Sequence, residues 1–178
     1  MPSFLKEIQA LEEKGVKYKD RLFLSDRAHI DFDLHTVVDG LEEVELGESS
    51  IGTTKKGIGP TFSCKATRSG CMLADVFDPE LLESRLRRMA NGYRKRYGDL
   101  LKYDIEEEIA RFKKYAETLS DFVIDEIPLL RDAKAQRLNV LVEGAQAAML
   151  DITYGTYPFV TASNCTVGKF NTFRHDMH

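Results

Sequence analysis

The sequence predicts an α/β fold in which parallel strands alternate with helices. Residues 21–25 form a short apolar run with the composition of a buried strand. Residues 139–142 (Asn-Val-Leu-Val) form a second run of the same kind. Between the two runs, apolar residues recur at helical spacing, first at Leu34, Val37, Val38, Leu41 and Val44. Alternating elements of this kind favour α/β architecture with parallel strands.

The helix boundaries near the N-terminus are indicated by capping and terminating residues. Ser3 can cap a short amphipathic helix, and Gly15 can end it. Gly47 is placed to end the helix that begins near Leu34.

The middle of the chain is predicted to be helical. Asp78 is expected to cap a helix whose first position is Pro79. A second helix is expected to start near Asp104 and to continue to about Val123, with Pro128 ending or kinking it. The apolar face of each helix is interpreted as packed core rather than as a ligand site.

The composition is that of a folded domain. The chain has 178 residues, 43% hydrophobic and 30% charged, with a formal net charge of −4. These values argue against a disordered chain. The net negative charge also provides no overall positive potential that would attract nucleic acid, so we expect no nucleic-acid partner. The basic runs Arg85–Arg88 and Arg94–Arg96 are interpreted as solvated helix faces.

The three cysteines favour a reducing environment. Cys64, Cys71 and Cys165 are odd in number, widely spaced and without a CxxC pair. This pattern argues against a disulfide framework or a zinc site, and it fits a cytoplasmic protein. No apolar run approaches the roughly 20 residues that span a bilayer, and the N-terminus lacks the pattern of a signal peptide. We therefore expect no membrane association and no metal ligands.

The glycine-rich stretch at residues 51–60 is the first candidate site. Its three glycines let a backbone approach an anion closely, and its threonines and lysines offer hydroxyls and charge. Pro60 can open a helix over residues 61–69, on which Lys65 and Arg68 would lie three residues apart. The stretch is not a Walker A loop. Phosphate binding and a mobile surface loop remain equal alternatives on these grounds.

The segment after residues 139–142 is the second candidate site, because loops that leave the carboxyl ends of parallel strands collect ligands. Asp151 follows an apolar run there, and we expect a buried, structural hydrogen-bonding role for it. His29 and His35 lie near several aspartates but lack a compact metal-ligand spacing, so a structural or surface role is expected.

Three blocks of the sequence together resemble the adenylosuccinate synthetase family. Residues 57–68 (GIGPTFSCKATR) are similar to the family's second signature, with Phe62 where Tyr is usual. Residues 24–29 (LSDRAH) resemble a second family segment, and residues 142–161 resemble a strand-loop block. The resemblance extends from Pro2 to Gly168, and the eukaryotic, fungal branch is the most similar.

The resemblance implies a fold and a division of the chain. It implies part of a central, mostly parallel sheet like that of P-loop NTPases, with a helical insertion. Residues 1–168 would be a partial synthetase domain. Within it, residues 1–70 would be an α/β segment with the nucleotide loop, 71–134 a helical segment, and 135–168 a strand-loop segment. Residues 169–178 match nothing in the family and are hypothesised to be translated intron or another gene-model artefact.

The resemblance also implies an activity. The family joins inosine monophosphate (IMP) to L-aspartate with GTP and Mg²⁺, the first committed step of AMP synthesis. GTP phosphorylates the 6-oxygen of the base, and the aspartate amine then displaces phosphate. Positioning and charge neutralisation provide most of the catalysis in such phosphoryl transfers. The family works as a cytoplasmic homodimer.

Five residues are matched to family roles. Thr54 and Thr161 would contact the phosphate of IMP, and Gln146 would lie near its base or ribose. Arg68 would reach the IMP held by the other subunit, so that the active site is shared. Lys65 is the signature lysine and the candidate catalytic residue, with ordering of the loop through a salt bridge as the alternative.

The family's other functional segments are not found in the sequence. Its catalytic aspartate, its GTP and magnesium loop and its general-acid histidine precede the region of resemblance. Its guanine-reading and aspartate-binding segments follow that region. Two hypotheses therefore stand: the chain represents the synthetase, or it is a non-catalytic fragment that at most binds IMP or phosphate, or pairs with a full-length subunit.

Overall fold

The computed structural model describes residues 2–166 of the chain. Two short strands lie in this part, β1 (Leu24–Ser25) and β2 (Val123–Ile124). Short 3₁₀ turns occur at Gly47–Ser49, Leu73–Phe77, Gly98–Leu100 and Ala148–Leu150. The α-helices are α1 (Pro2–Glu13), α2 (Asp33–Leu46), α3 (Ile58–Ala66), α4 (Pro79–Tyr97), α5 (Ile105–Leu119) and α6 (Glu126–Ala135).

The two strands pair in parallel, which confirms the predicted α/β class. Leu24 lies opposite Val123, and Ser25 lies opposite Ile124. Parallel pairing requires a long crossover connection between the strands. Here α2 to α5 provide it. No described helix is long and apolar enough to cross a membrane.

The predicted starts of α4 and α5 are confirmed, whereas the predicted cap Ser3 lies inside α1, which begins at Pro2. The Asp78 carboxylate accepts a hydrogen bond from the backbone N–H of Leu81 at 3.0 Å, and Pro79 is the first residue of α4. The Asp104 carboxylate accepts from the N–H of Glu106 at 2.9 Å and starts α5 in the same way. Each side chain pairs an N–H that has no partner within its helix.

The core forms between α2, α4 and α5. The predicted apolar faces of α4 and α5 are buried in it, as are residues of the segment before α2. Phe32 and Phe112 pack with ring centroids 4.9 Å apart. The most deeply buried apolar residues are Phe32, Leu34, Val38, Cys71, Val76, Leu86, Phe112 and Leu119.

A buried carboxylate joins α5 to the start of α2. Glu108 is 2% exposed and accepts hydrogen bonds from the backbone N–H of Asp33 at 2.9 Å and of Leu34 at 3.4 Å. The guanidinium of Arg111 donates to the same carboxylate at 2.8 Å, and the hydroxyl of Tyr103 donates at 2.5 Å. The negative charge of Glu108 thus lies at the positive end of α2 and is fully paired.

The basic runs of α4 lie largely on solvated faces, as interpreted, but three of their arginines also make ion pairs. Arg85 pairs with Asp75 at 2.5 Å, and Arg87 pairs with Glu106 at 2.5 Å. Arg96 pairs with Glu45 of α2 at 2.6 Å and with a second α2 carboxylate, Glu42. These arginines therefore link α4 to its neighbours.

Two predicted strands differ from the structure. The first is shorter than predicted, because only its last two residues pair with β2. Residues 139–142 form no strand, and Leu141 is 93% exposed. Within residues 2–166 no third strand lies beside this run, and an unpaired strand would leave its backbone hydrogen-bonding groups without partners.

The predicted end of α5 is also wrong. The helix stops at Leu119, and Val123 lies in β2. Pro128 does not break a helix but lies in the first turn of α6, whose cap is Asp125. A missing N–H costs little at that position, because first-turn N–H groups have no partner within the helix.

Candidate functional site

The glycine-rich loop is bound by a carboxylate from α2. The Glu43 side chain accepts hydrogen bonds from three consecutive backbone N–H groups, those of Ile51 at 3.1 Å, Gly52 at 2.9 Å and Thr53 at 3.3 Å. Consecutive N–H groups that converge on one anion form a nest of the kind that binds phosphate elsewhere. In this structure the nest holds an internal anion.

Gly57 connects the loop to α3 and requires glycine. Its φ is +79°, and a Cβ atom there would lie 2.5 Å from Oδ1 of Asp31 and 2.8 Å from Cβ of His35. The N–H of Gly57 donates to Asp39 at 2.9 Å, and the hydroxyl of Thr61 donates to Asp31 at 3.1 Å. The start of α3 is therefore fixed against α2.

Thr54 and Arg68 lie at opposite ends of α3. Thr54 precedes the helix and is exposed, and the helix runs from Ile58 to Ala66. Nine residues of α-helix span roughly 13 Å. Arg68 follows the helix, exposed, with a left-handed φ of +60°. The two side chains therefore start from well-separated points.

The expected helix over residues 61–69 is wrong at both ends. It begins at Ile58 rather than at Pro60, and it ends at Ala66. Lys65 lies in its last turn and is exposed, whereas Arg68 lies beyond it. The two cations therefore do not share a helical face. Within residues 2–166 Lys65 makes no ion pair. The described residues therefore contain no salt bridge through which Lys65 could order the loop.

Asp151 organises the second candidate segment. It is fully buried and accepts hydrogen bonds from the backbone N–H of Thr153 at 2.8 Å, Tyr154 at 3.0 Å and Cys165 at 2.5 Å. Asn164 adds a side-chain donor at 3.2 Å. Burial alone would raise the pKa of Asp151, but these donors lower it well below its usual value. The structural role expected for Asp151 fits this network.

Gln146 precedes this network in the sequence, and Thr161 lies within the segment that the network spans. Gln146 is exposed, and Thr161 is half-buried, with its N–H donating to the carbonyl of Leu150 at 2.9 Å. Gly155 closes the turn between them, where a Cβ atom would meet the backbone of Asp151 at 2.5 Å. No hydrogen bond or ion pair in the described part of the chain joins Gln146 or Thr161 to Thr54, Lys65 or Arg68.

A group of carboxylates at the ends of the two strands was not found from the sequence. Asp26 follows β1, whereas Asp125 and Glu126 follow β2. One carboxylate oxygen from each of the three residues lies within 4.8 Å of the other two. Arg27 lies 3.5 Å from both aspartates, and Ser25 donates to Glu126 at 2.5 Å. The parallel register brings these distant residues together, and no local spacing in the sequence indicates it.

Residues 1–174 match the family model described as adenylosuccinate synthetase. The chain belongs to the adenylosuccinate synthetase family. This result confirms the resemblance drawn from the three sequence blocks, and it places the chain in a family of ligases.

Fungal synthetases are among the curated relatives that this chain resembles, in agreement with the predicted fungal branch. The chain is 59% identical over 168 residues to the adenylosuccinate synthetase of Pyrenophora tritici-repentis, covering 94% of this chain and 40% of the relative. It is 57% identical over 173 residues to that of Pyricularia oryzae, covering 97% of this chain and 41% of the relative. The chain thus spans about two fifths of their length.

A solved synthetase shares the fold. The structure of fully ligated adenylosuccinate synthetase from Plasmodium falciparum matches with a TM-score of 0.83 and 39% identity, covering 94% of this chain and 40% of that chain. The described residues therefore have the conformation of the corresponding part of a synthetase. The predicted boundary at residue 168 stays a prediction: the family match extends to residue 174, and the predicted tail at 169–178 lies outside the described residues.

Proposed function

We propose that this chain is the part of an adenylosuccinate synthetase that binds the phosphate of IMP. The whole reaction would be the GTP- and Mg²⁺-dependent ligation of IMP and L-aspartate to adenylosuccinate, in the cytoplasm. The observation that supports this most directly is the family match over residues 1–174, which includes the loop and helix of residues 51–68.

The geometry of the glycine-rich loop supports a phosphate site. The N–H groups of residues 51–53 already converge on one anionic group, the carboxylate of Glu43. Thr54 follows them and is exposed, so its hydroxyl is available to a ligand. A phosphate at this loop would interact with the Thr54 hydroxyl, and with the N–H groups of residues 51–53 only if it replaced the Glu43 carboxylate that they bind in this structure.

The position of Arg68 supports a site shared between subunits. Arg68 projects from the end of α3 opposite to Thr54, in a left-handed turn fixed by the N–H groups of Ser69 and Gly70, which donate to the carbonyl of Cys64 at 2.9 and 3.2 Å. Its guanidinium makes no ion pair or hydrogen bond within the described residues. A planar, unpaired guanidinium suits a phosphate held by a second subunit of a homodimer.

Lys65, Gln146 and Thr161 complete the proposed site. Lys65 would neutralise charge during phosphoryl transfer, and an exposed, unpaired ammonium is suited to that role. Gln146 and Thr161 are presented by the segment that Asp151 orders. GTP and Mg²⁺ would be bound by family segments that have no counterpart in this sequence.

A second candidate function is that of a binding fragment without catalysis. The observation that favours it is the exposure of the apolar run at residues 138–142, in which Leu141 is 93% exposed. A run of this composition is suited to lie within a sheet rather than in water. A chain that pairs with a full-length subunit would bury it.

Calorimetric titration of the purified 178-residue chain with IMP tests the proposal. We expect saturable binding that is lost in the double variant Thr54→Ala, Arg68→Ala. The matched control is Thr118→Ala, Arg137→Ala, because Arg137 is also an exposed arginine that follows a helix with a positive φ, here +55°. Equal binding by both double variants would overturn the assignment of the site.

A ligation assay separates the two candidate functions. Adenylosuccinate formation from IMP, L-aspartate, GTP and Mg²⁺ is followed by chromatography. Turnover by the chain that is abolished by Lys65→Ala supports the synthetase. Binding of IMP without turnover supports the fragment.

A further inference from the structure

A cluster of sulfur and ring side chains lies between α2, α3 and α4. We call His35, Cys64, Met89 and Tyr93 the sulfur cluster. The Cys64 sulfur lies 3.5 Å from Sδ of Met89 and 3.2 Å from the hydroxyl oxygen of Tyr93. Nε2 of His35 lies 3.3 Å from the same Sδ. None of these residues has a role in the proposed ligation.

The surroundings of His35 determine which ring nitrogen holds its proton. The backbone N–H of Phe32 donates to Nδ1 of His35 at 3.1 Å, so Nδ1 is an acceptor in the neutral ring. The proton then lies on Nε2, which is 3.3 Å from Sδ of Met89. The neutral His35 ring therefore presents a donor to the sulfur cluster.

The donors around Cys64 favour its thiolate. Burial alone would raise the pKa of Cys64, but hydrogen bonds from His35, Tyr93 and Ser69 lower it below its usual value. Cys71 provides the contrast within the same core, since burial raises the pKa of its thiol to about 12. The two buried thiols therefore differ in their surroundings in a way that predicts different reactivity.

A cavity of about 360 Å³ lies beside this cluster, in which Cys64 is 5% exposed. Its walls include Cys64, Met89 and Tyr93, together with the hydroxyls of α3 and the turn after it. Two guanidiniums line it as well. Arg96 pairs with carboxylates of α2, whereas Arg88 is exposed and makes no ion pair or hydrogen bond within residues 2–166. The cavity thus joins a nucleophile to a cation that is available for a ligand.

We propose that Cys64 is a thiol-modification site and that this cavity takes a small disulfide bearing carboxylates. The Cys64 thiolate attacks one sulfur of the disulfide, and its proton passes to water. The disulfide S–S bond breaks, one half leaves as a thiolate, and the other half remains as a mixed disulfide on Cys64. The incoming disulfide is the oxidant, and a free thiol reverses the step. Arg88 would pair with a carboxylate of the bound half.

The probe is 5,5′-dithiobis(2-nitrobenzoate), a disulfide with two carboxylates, added to the folded 178-residue chain at pH 7. Release of the coloured thiolate gives the rate, and peptide mapping identifies the modified cysteine. We expect Cys64 to react before Cys165, and Cys71 to react only after the chain is unfolded in urea. Faster reaction at Cys165, or a Cys64 that reacts only in urea, would overturn the proposal.

Two pairs of variants test the mechanism. Tyr93→Phe removes a hydrogen-bond donor from the thiolate, so Cys64 should react more slowly, by up to about threefold. Tyr97→Phe, on the same helix, is the control and should leave the rate unchanged. Arg88→Gln should slow the dianionic probe about two- to fivefold and leave a neutral probe, bis(2-hydroxyethyl) disulfide, unaffected. Arg94→Gln is its control. Equal effects of Arg88→Gln on both probes would refute the role of the cavity in selecting an anion.

Discussion

At the scale of single residues, the candidate site depends on two positions that accept only one kind of side chain. Gly57 is enclosed by Asp31 and His35, and its backbone is left-handed. Asp151 is enclosed by N–H donors, and only an acceptor fits there. Neither residue is a proposed ligand of the substrate, but each fixes the segment that presents one.

Replacing Gly57 by alanine should strongly destabilise the chain. The new Cβ would lie 2.5 Å from Oδ1 of Asp31 and 2.8 Å from Cβ of His35, at a φ of +79°. We expect a loss of roughly 2 kcal/mol or more in urea unfolding. Gly52→Ala is the matched control, since its φ is +76° and the Cβ that alanine adds there would meet no atom within 4 Å. Its cost should be about 1 kcal/mol. Equal losses would show that packing around Gly57 is unimportant.

Replacing Asp151 by asparagine should loosen the segment that presents Gln146 and Thr161. An amide offers one acceptor oxygen where the carboxylate offers two, and its NH₂ would face N–H donors. Amide hydrogen exchange at Thr153 and Cys165 should accelerate, whereas exposed Asp132→Asn on α6 should leave it unchanged. Unaltered exchange in Asp151→Asn would contradict the role of the network.

The contribution of the Asp151 network to the stability of the chain should depend on pH. Because the pKa of Asp151 is lower in the folded chain than in the unfolded chain, its contribution to stability is present above the unfolded value of about 4. That contribution is lost as pH falls below that value toward the folded pKa, where the carboxylate becomes protonated. The difference in stability between the parent chain and Asp151→Asn, measured in urea, should therefore shrink from pH 6 to pH 3.

At the scale of elements, the sequence predicted those helix boundaries that depend on side chains of the same helix. The starts of α4 and α5 follow from Asp78-Pro79 and Asp104, whose side chains bond only to their own helix. The end of α5 and the pairing of β1 with β2 depend on contacts between residues far apart in sequence, which no local pattern encodes. The sulfur cluster and the strand-end carboxylates escaped prediction for the same reason.

The contact between Glu43 of α2 and the glycine-rich loop should protect the loop from hydrogen exchange. Glu43→Ala removes the acceptor of the N–H groups at residues 51–53. Hydrogen exchange of these amides should increase several-fold, while α3 keeps its protection because Gly57 is held separately by Asp39. Glu48→Ala, in the turn after α2, serves as the control. Faster exchange throughout α3 would show that the loop and the helix are held as one unit.

At the scale of the whole molecule, the chain combines a well-packed body with an exposed segment at residues 139–150. The core joins α2, α4 and α5, and the arginines of α4 bind carboxylates on both neighbouring helices. In contrast, residues 139–150 are exposed throughout. The family explains this contrast, because relatives with the same segment are more than twice as long. The sequence predicted the strand character of residues 139–142, but a strand forms only beside a partner strand.

The exposed apolar run at residues 139–142 should promote association between chains. Leu141 is 93% exposed, so Leu141→Lys removes apolar surface from contact with water without opening a cavity. The free energy of unfolding should change by less than about 0.5 kcal/mol. Light scattering of a concentrated solution should decrease, because an apolar β-branched run at the surface favours association between chains. Leu86→Lys, at a fully buried position of α4, should instead unfold the chain. Large destabilisation by Leu141→Lys would mean that residues 139–142 are buried in solution.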